Sequence, residues 1–103
     1  MISPDIATLI PKIRAFLSHQ PVLRAWIFGS CSRGEEKAGS DMDILVDYDD
    51  SHGRVSLFQM GGILMDLSDI VGRKVDLVDR KGLASFARPS VEKDMILIYE
   101  RTD

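Results

Sequence analysis

The sequence predicts an α+β fold in which helices and strands alternate and a small sheet of three or four strands is packed with helices on one or both faces. Three observations carry this. Apolar residues recur at helical spacing in two long segments, near residues 4–19 and 54–72. Short β-branched runs bounded by glycine, proline or aspartate lie between and after them. The connections are short, and 103 residues with 45% hydrophobic and 28% charged content match one ordinary globular domain, 1–103.

The first helix is expected from about Pro4 to His19, with Ile6, Leu9, Ile10, Ile13, Phe16 and Leu17 on one face. Ser3-Pro4-Asp5 starts it well, since serine caps, proline needs no amide donor there and a carboxylate suits the helix dipole. Pro11 deletes one backbone bond inside it, so a bend is expected. Val22 to Phe28 reads as the first strand, ending at Gly29-Ser30. The polar stretch Cys31 to Ser40 reads as a turn containing one or two helical turns. Met42 to Tyr48 is the second strand, closed by the loop Asp49 to Gly53. A second long helix is expected over Arg54 to Gly72, with Gly61-Gly62 in its middle. That pair costs about 1 kcal/mol per residue against alanine, which suggests a close approach to the sheet. Lys74 to Val78 is a third strand. Arg88 to Asp94 suits a short helix, and residues 95–99 fit either a fourth strand or a continuation of that helix.

Composition excludes several classes. Cys31 is the only cysteine, so an internal disulfide and a cysteine-rich zinc site are out. No apolar run approaches the ~20 residues that span a bilayer, and the N-terminus lacks the pattern of a signal peptide. A cytoplasmic protein without membrane contact is expected. Thirteen basic against 16 acidic residues leave a net charge of −3, which disfavours nucleic acid as a partner because that affinity comes mainly from phosphate neutralisation.

Three carboxylates stand where strands are normally apolar. Asp43 lies inside Met42–Val46 and Asp76 inside Val75–Val78, while Asp41, two residues before Asp43, points to the same face. Burying carboxylates together is costly unless something positive sits among them. A hard divalent cation such as Mg²⁺, taking carboxylate oxygens and substrate phosphates, meets that need. Upstream, Gly29-Ser30 ends a strand where glycine admits a phosphate to the backbone and the serine hydroxyl can donate to it. A phosphate cradle beside a metal site is the chemistry of nucleotidyl transfer.

FGSCSRGEEKAGSDMDILVD resembles the Gly-Ser, ten residues, Asp-X-Asp signature of the nucleotidyltransferase superfamily that includes DNA polymerase β. Four fixed positions at ordinary frequencies would arise by chance in about one chain in a thousand of this length. The resemblance covers nearly the whole chain and is closest to the minimal nucleotidyltransferases, the MNT-domain antitoxins that act beside HEPN-domain toxins. It implies a polymerase β-like fold with a mixed sheet. It further implies that Gly29 and Ser30 hold the triphosphate, that Asp41 and Asp43 bind Mg²⁺, in all two ions, and that Asp76 is the third carboxylate, which helps bind metal and orients or deprotonates the acceptor hydroxyl. Arg33 matches the family's arginine after Gly-Ser and contacts phosphate or braces the loop. The implied reaction moves AMP from ATP to a tyrosine of the cognate HEPN toxin and neutralises it. Two rivals remain: an antitoxin that acts by binding alone, and a nucleotidyltransferase for a small-molecule hydroxyl.

Blander roles fit the remaining residues. Cys31 reads as a small packed thiol, Trp26 as packed against a helix on the face opposite Ile27, and Asp47, Asp49 and Asp50 as a solvated strand end. Arg73, Lys74, Arg80 and Lys81 flank the Asp76 strand and are read as solvated or in contact with phosphate or toxin.

Overall fold

The computed structural model describes residues 2–37 and 39–102. Helix α1 (Pro4–Leu17) begins where the Ser3 hydroxyl accepts a hydrogen bond from the Ile6 amide at 3.3 Å, and it is continuous through Pro11, which is exposed to solvent. Strand β1 (Val22–Phe28) leads into a single helical turn, α2 (Ser30–Arg33), and then β2 (Met42–Tyr48). Helix α3 (Leu57–Val71) starts at a capping box between Ser56 and Gln59 and ends at Gly72, whose φ of +69° is the left-handed cap that glycine adopts most easily. Strand β3 (Val75–Asp79), a 3₁₀ turn at Arg80–Gly82, helix α4 (Arg88–Asp94) and strand β4 (Ile96–Glu100) complete the chain.

The strands form one sheet in the order β3-β2-β1-β4. β1 pairs antiparallel with β2 and β4, and β2 pairs parallel with β3 through the α3 crossover, so the sheet is mixed. Residues 96–100 are therefore strand, because β1 offers them its free edge. On that outer strand the Arg14 guanidinium donates to the Ile98 carbonyl at 2.5 Å, which ties α1 to β4.

The core lies on one side of the sheet. Ile6, Ile13 and Leu17 of α1 and Ile63, Leu67 and Val71 of α3 are buried with Ala25, Ile27, Met42, Ile44, Val46, Val75 and Ile98 from the strands. Each of the larger of these side chains, all but Ala25, contributes roughly 1.5–3 kcal/mol by leaving water. Since strand side chains alternate, placing Met42, Ile44 and Val46 inward sends Asp43, Leu45 and Asp47 to the opposite face.

Three expectations are corrected. Gly61 and Gly62 make no close approach to the sheet: a Cβ on either would meet nothing within 4 Å, because α3 faces the sheet through Ile63, Leu67 and Val71. Trp26 does face away from Ile27, but its ring is covered by the Arg80 guanidinium, 5.4 Å from the ring centroid. Of the aspartates at the end of β2 and after it, only Asp50 is exposed, and all three are paired. Asp47 is 4% exposed and bridges Arg24 at 3.2 Å and Arg80 at 2.7 Å, while Asp49 pairs with Arg101 and Asp50 with Lys81. Charges brought from β1, the 3₁₀ turn and the chain's end neutralise them. Among the described residues no helix is long and apolar enough to cross a membrane.

Hydrogen bonds from the Ser51 hydroxyl and amide, and then from Arg101, hold the Asp49 carboxyl down at about 2, from an ordinary 3.8. A depressed acid stabilises the fold above its unfolded pKa and loses that contribution as pH falls through its folded one. Asp49→Asn should therefore melt at a lower temperature than the parent near neutral pH, with the gap closing between about pH 4 and 2. Thermal unfolding followed across that range checks this, and a gap independent of pH contradicts it.

Candidate active site

The end of β1 and the start of β2 meet at one glycine. Gly29 has φ +71°, and a Cβ there would lie 2.3 Å from Oδ2 of Asp43, far inside contact distance. Only a residue without a side chain lets the carboxylate sit against this backbone. The Gly-Ser turn and the strand aspartate are thus parts of one structure, as their spacing predicts.

Local bonds hold the turn. The Ser32 hydroxyl donates to the Gly29 carbonyl at 2.7 Å, the Glu35 amide donates to the Ser30 carbonyl at 3.0 Å, and Gly34 closes the turn with φ +72°. Cys31 is fully buried and its Sγ lies 3.6 Å from the Asp41 carbonyl oxygen, which fastens α2 to the segment carrying the first aspartate. Burial pushes the Cys31 thiol above its ordinary pKa, so it packs rather than reacts. Sequence reasoning missed the positioning work of Cys31 and Ser32, for which only their small size is a signal.

Asp43 pairs in register with Phe28 on β1 and with Asp76 on β3. The two carboxylates therefore share one sheet face on neighbouring strands. Burial first, and then the charge of Asp76 and a hydrogen bond with it, raise the Asp43 pKa. Asp41 adds a further repulsion and Arg33 a smaller attraction. Asp41 itself stands just before the strand, with its side chain 45% exposed and Oδ2 at 3.9 Å from the Lys74 ammonium. Asp43 and Asp76 are thus brought together, and Asp41 lies near enough to act on Asp43 while it also faces the Lys74 ammonium. Among the described residues no three metal-ligating side chains enclose an ion-sized space as they stand.

Three carboxylates offer hard oxygen donors, a ligand type that suits Mg²⁺ and also Mn²⁺ or Ca²⁺. Arg33 bonds Glu35 at 2.6 Å and also Asp94 at the end of α4, clasping α2 to α4. Glu35 is visible from sequence as its neighbour; Asp94 is not. Arg73 donates to the Ser40 carbonyl at 3.3 Å, so the turn before β3 braces the loop before Asp41. Arg80 and Lys81 are engaged with Asp47 and Asp50.

A family model described as polymerase beta, nucleotidyltransferase matches residues 11–103. A candidate protein adenylyltransferase of Methanocaldococcus jannaschii is 40% identical over 73 residues, which are 70% of this chain and 71% of that protein. A solved structure of a candidate minimal nucleotidyltransferase superposes with a TM-score of 0.76 at 28% identity, covering 93% of this chain and 95% of the other. The fold is also shared, at 20% identity and a TM-score of 0.69, with a chain from the complex of a tri-AMPylated Shewanella oneidensis HEPN toxin and MNT antitoxin, over 92% of this chain and 72% of that one.

Two consequences for stability can be measured. Gly29→Ala should cost about 1–3 kcal/mol, since it strains the backbone and displaces the Asp43 carboxylate, and should lower the melting temperature by several degrees. Asp43→Asn should do the reverse when divalent cations are chelated. An acid whose pKa is higher in the folded state than in the unfolded one costs stability as pH rises through that range. The asparagine variant should therefore melt a few degrees above the parent near neutral pH and match it in acid, as thermal scans in EDTA would show.

Proposed function

Because the chain belongs to the polymerase β nucleotidyltransferase family and is by that membership an enzyme of nucleotidyl transfer, we propose that it is an antitoxin that moves AMP from ATP to a tyrosine hydroxyl of a cognate HEPN toxin. The observation that carries this reading is the contact of Asp43 with Gly29, in register with Asp76: a phosphate-admitting turn and two acidic groups meet at one point. The relatives support the acceptor. One bears the name protein adenylyltransferase, and a chain of the same fold stands in a complex with an AMP-bearing HEPN toxin.

In this reading the acceptor oxygen bonds to the α-phosphorus of ATP, the bond to the β-phosphate oxygen breaks, and pyrophosphate leaves. Gly29 lets the triphosphate come close to the backbone and the Ser30 hydroxyl donates to it. Asp41, Asp43 and Asp76 would hold Mg²⁺. Bound there, Mg²⁺, as a pair of ions, supplies positive charge to the phosphate oxygens and makes the acceptor hydroxyl easier to ionise. Asp76, the more exposed of the strand pair, orients that hydroxyl and takes its proton. Arg33 exchanges a carboxylate partner for a phosphate oxygen. A net charge of −3 disfavours nucleic acid as the acceptor, and a protein acceptor suits that balance.

The test is transfer of label from α-labelled ATP to a HEPN-family toxin offered as acceptor, the product of a neighbouring reading frame being the first choice, with Mg²⁺ present. The parent should label it on tyrosine, and Asp43→Asn should lower the rate by about 100-fold or more, the scale of losing one electrostatic contact in the transition state. Absence of label with the parent sinks the proposal. Protection of cells by Asp41→Asn/Asp43→Asn protein would favour neutralisation by binding alone.

A further inference from the structure

Arg33 is held from two directions. Its Nε donates to a carboxylate oxygen of Glu35, two residues on in the chain, at 2.6 Å, and its Nη1 donates to Asp94 from the far end of the sequence. The two acids therefore occupy different edges of a planar donor fork. Ser30 and Arg33 are three apart on α2 and share a face of that turn, and the guanidinium is close enough to act on Asp43. A phosphate arriving at this turn meets an arginine already engaged, so one of its acids must give way.

Asp94 is badly placed for its own helix. It is the last residue of α4, where the negative end of the helix favours a cation, such as the neighbouring Lys93, and disfavours a carboxylate. It is well placed for Arg33. Ile96 of β4 pairs with Ile27 of β1, and two residues beyond that pair on each chain stand Asp94 and Gly29. The strand that ends in the glycine turn thus fixes the end of α4 beside it. Side-chain exposure separates the two acids further, at 22% for Asp94 against 62% for Glu35. An acid that loses its partner is rehydrated at little cost when exposed and at greater cost when mostly covered. We propose that Asp94 is a positioning residue for nucleotide: it keeps its hold on Nη1 of Arg33 while nucleotide is bound, and Glu35 is the partner that gives way. This rests on Arg33 serving as a phosphate contact, as proposed for the reaction. Release of Glu35 opens the Nε edge to a phosphate oxygen. Asp94 meanwhile keeps the fork in place, so less side-chain freedom is lost on binding.

Calorimetric binding of α,β-methylene-ATP, whose scissile position is blocked, tests this with Mg²⁺ present and no acceptor. Asp94→Asn should weaken binding about tenfold, the scale of one charge-assisted hydrogen bond. Glu35→Gln should leave affinity unchanged or raise it, because a competitor for the Nε edge has lost its charge. Asp94→Glu keeps the carboxylate and should recover most of the loss. A double-mutant cycle separates positioning from mere support of the fold: Asp94→Asn should cost affinity in the parent and nothing further beside Arg33→Gln. Asp94→Ala serves as a second uncharged variant, and all are compared at temperatures where circular dichroism shows them folded. Unchanged or tighter binding by Asp94→Asn, an equal loss from Glu35→Gln, or the same loss with and without Arg33 would each overturn the proposal. A parent that binds no nucleotide would overturn the reading of the whole site, and this inference with it.

Discussion

The contact between the Asp43 carboxylate and the bare Cα of Gly29 constrains everything around it. It requires a glycine at the end of β1, a left-handed φ there, an antiparallel neighbour whose first residues reach that point, and a helical turn immediately afterwards to carry the chain away. The hydroxyl of Ser32, the thiol of Cys31 and the glycine cap at Gly34 serve that turn. Parallel pairing of β3 then sets Asp76 beside the same carboxylate. Two acids side by side without a bound cation are unfavourable, and the fold accepts that cost at one end of the sheet face opposite the core.

Strand β2 displays both treatments of a carboxylate on a single face. At its start Asp43 faces another acid, and its pKa rises. At its far end Asp47, equally out of place by hydropathy, is enclosed by Arg24 and Arg80, with the Arg80 guanidinium lying over Trp26. Ion pairs of this kind add little net stability after desolvation, and their effect is to fix geometry. They tie β1, β2 and the turn after β3 into one rigid unit, and rigidity at that end keeps the register that aligns Asp43 with Asp76 at the other. At the acidic end Arg33 offers Asp43 only a small attraction, and Lys74 stands beside Asp41.

Residues whose type is dictated by backbone or ligand chemistry were readable in the sequence. Gly29, Ser30, Asp41, Asp43 and Asp76 stand out because ordinary strands and turns do not need them together, and Ser3-Pro4-Asp5 marks a helix start by local bonding alone. What could not be read depends on partners far along the chain. Asp47 looks like a loop-side acid until Arg24 and Arg80 arrive from other elements, and Arg33 looks like a partner of Glu35 until Asp94 joins it. The run from Met95 to Tyr99 is apolar enough for helix or strand, and only the open edge of β1 decides between them. Gly61-Gly62 misled because glycine in a helix is equally compatible with packing inward and with a clear space outward.

The place of β3 at the rim of the sheet has a kinetic side. β1 and β2 form an antiparallel pair close in sequence, so the glycine turn and Asp43 can assemble early in folding, whereas Asp76 must await the whole of α3 and a parallel pairing. Once in place β3 is held by strand bonds on one side only, and rim strands open by local fluctuation more readily than central ones. The third carboxylate is therefore the last to arrive and the first to leave. On the proposed reading, in which Asp76 takes part in the chemistry, the enzyme would be a competent catalyst for a smaller fraction of time than it is a folded protein, and whatever clamps β3 against β2 would govern the difference.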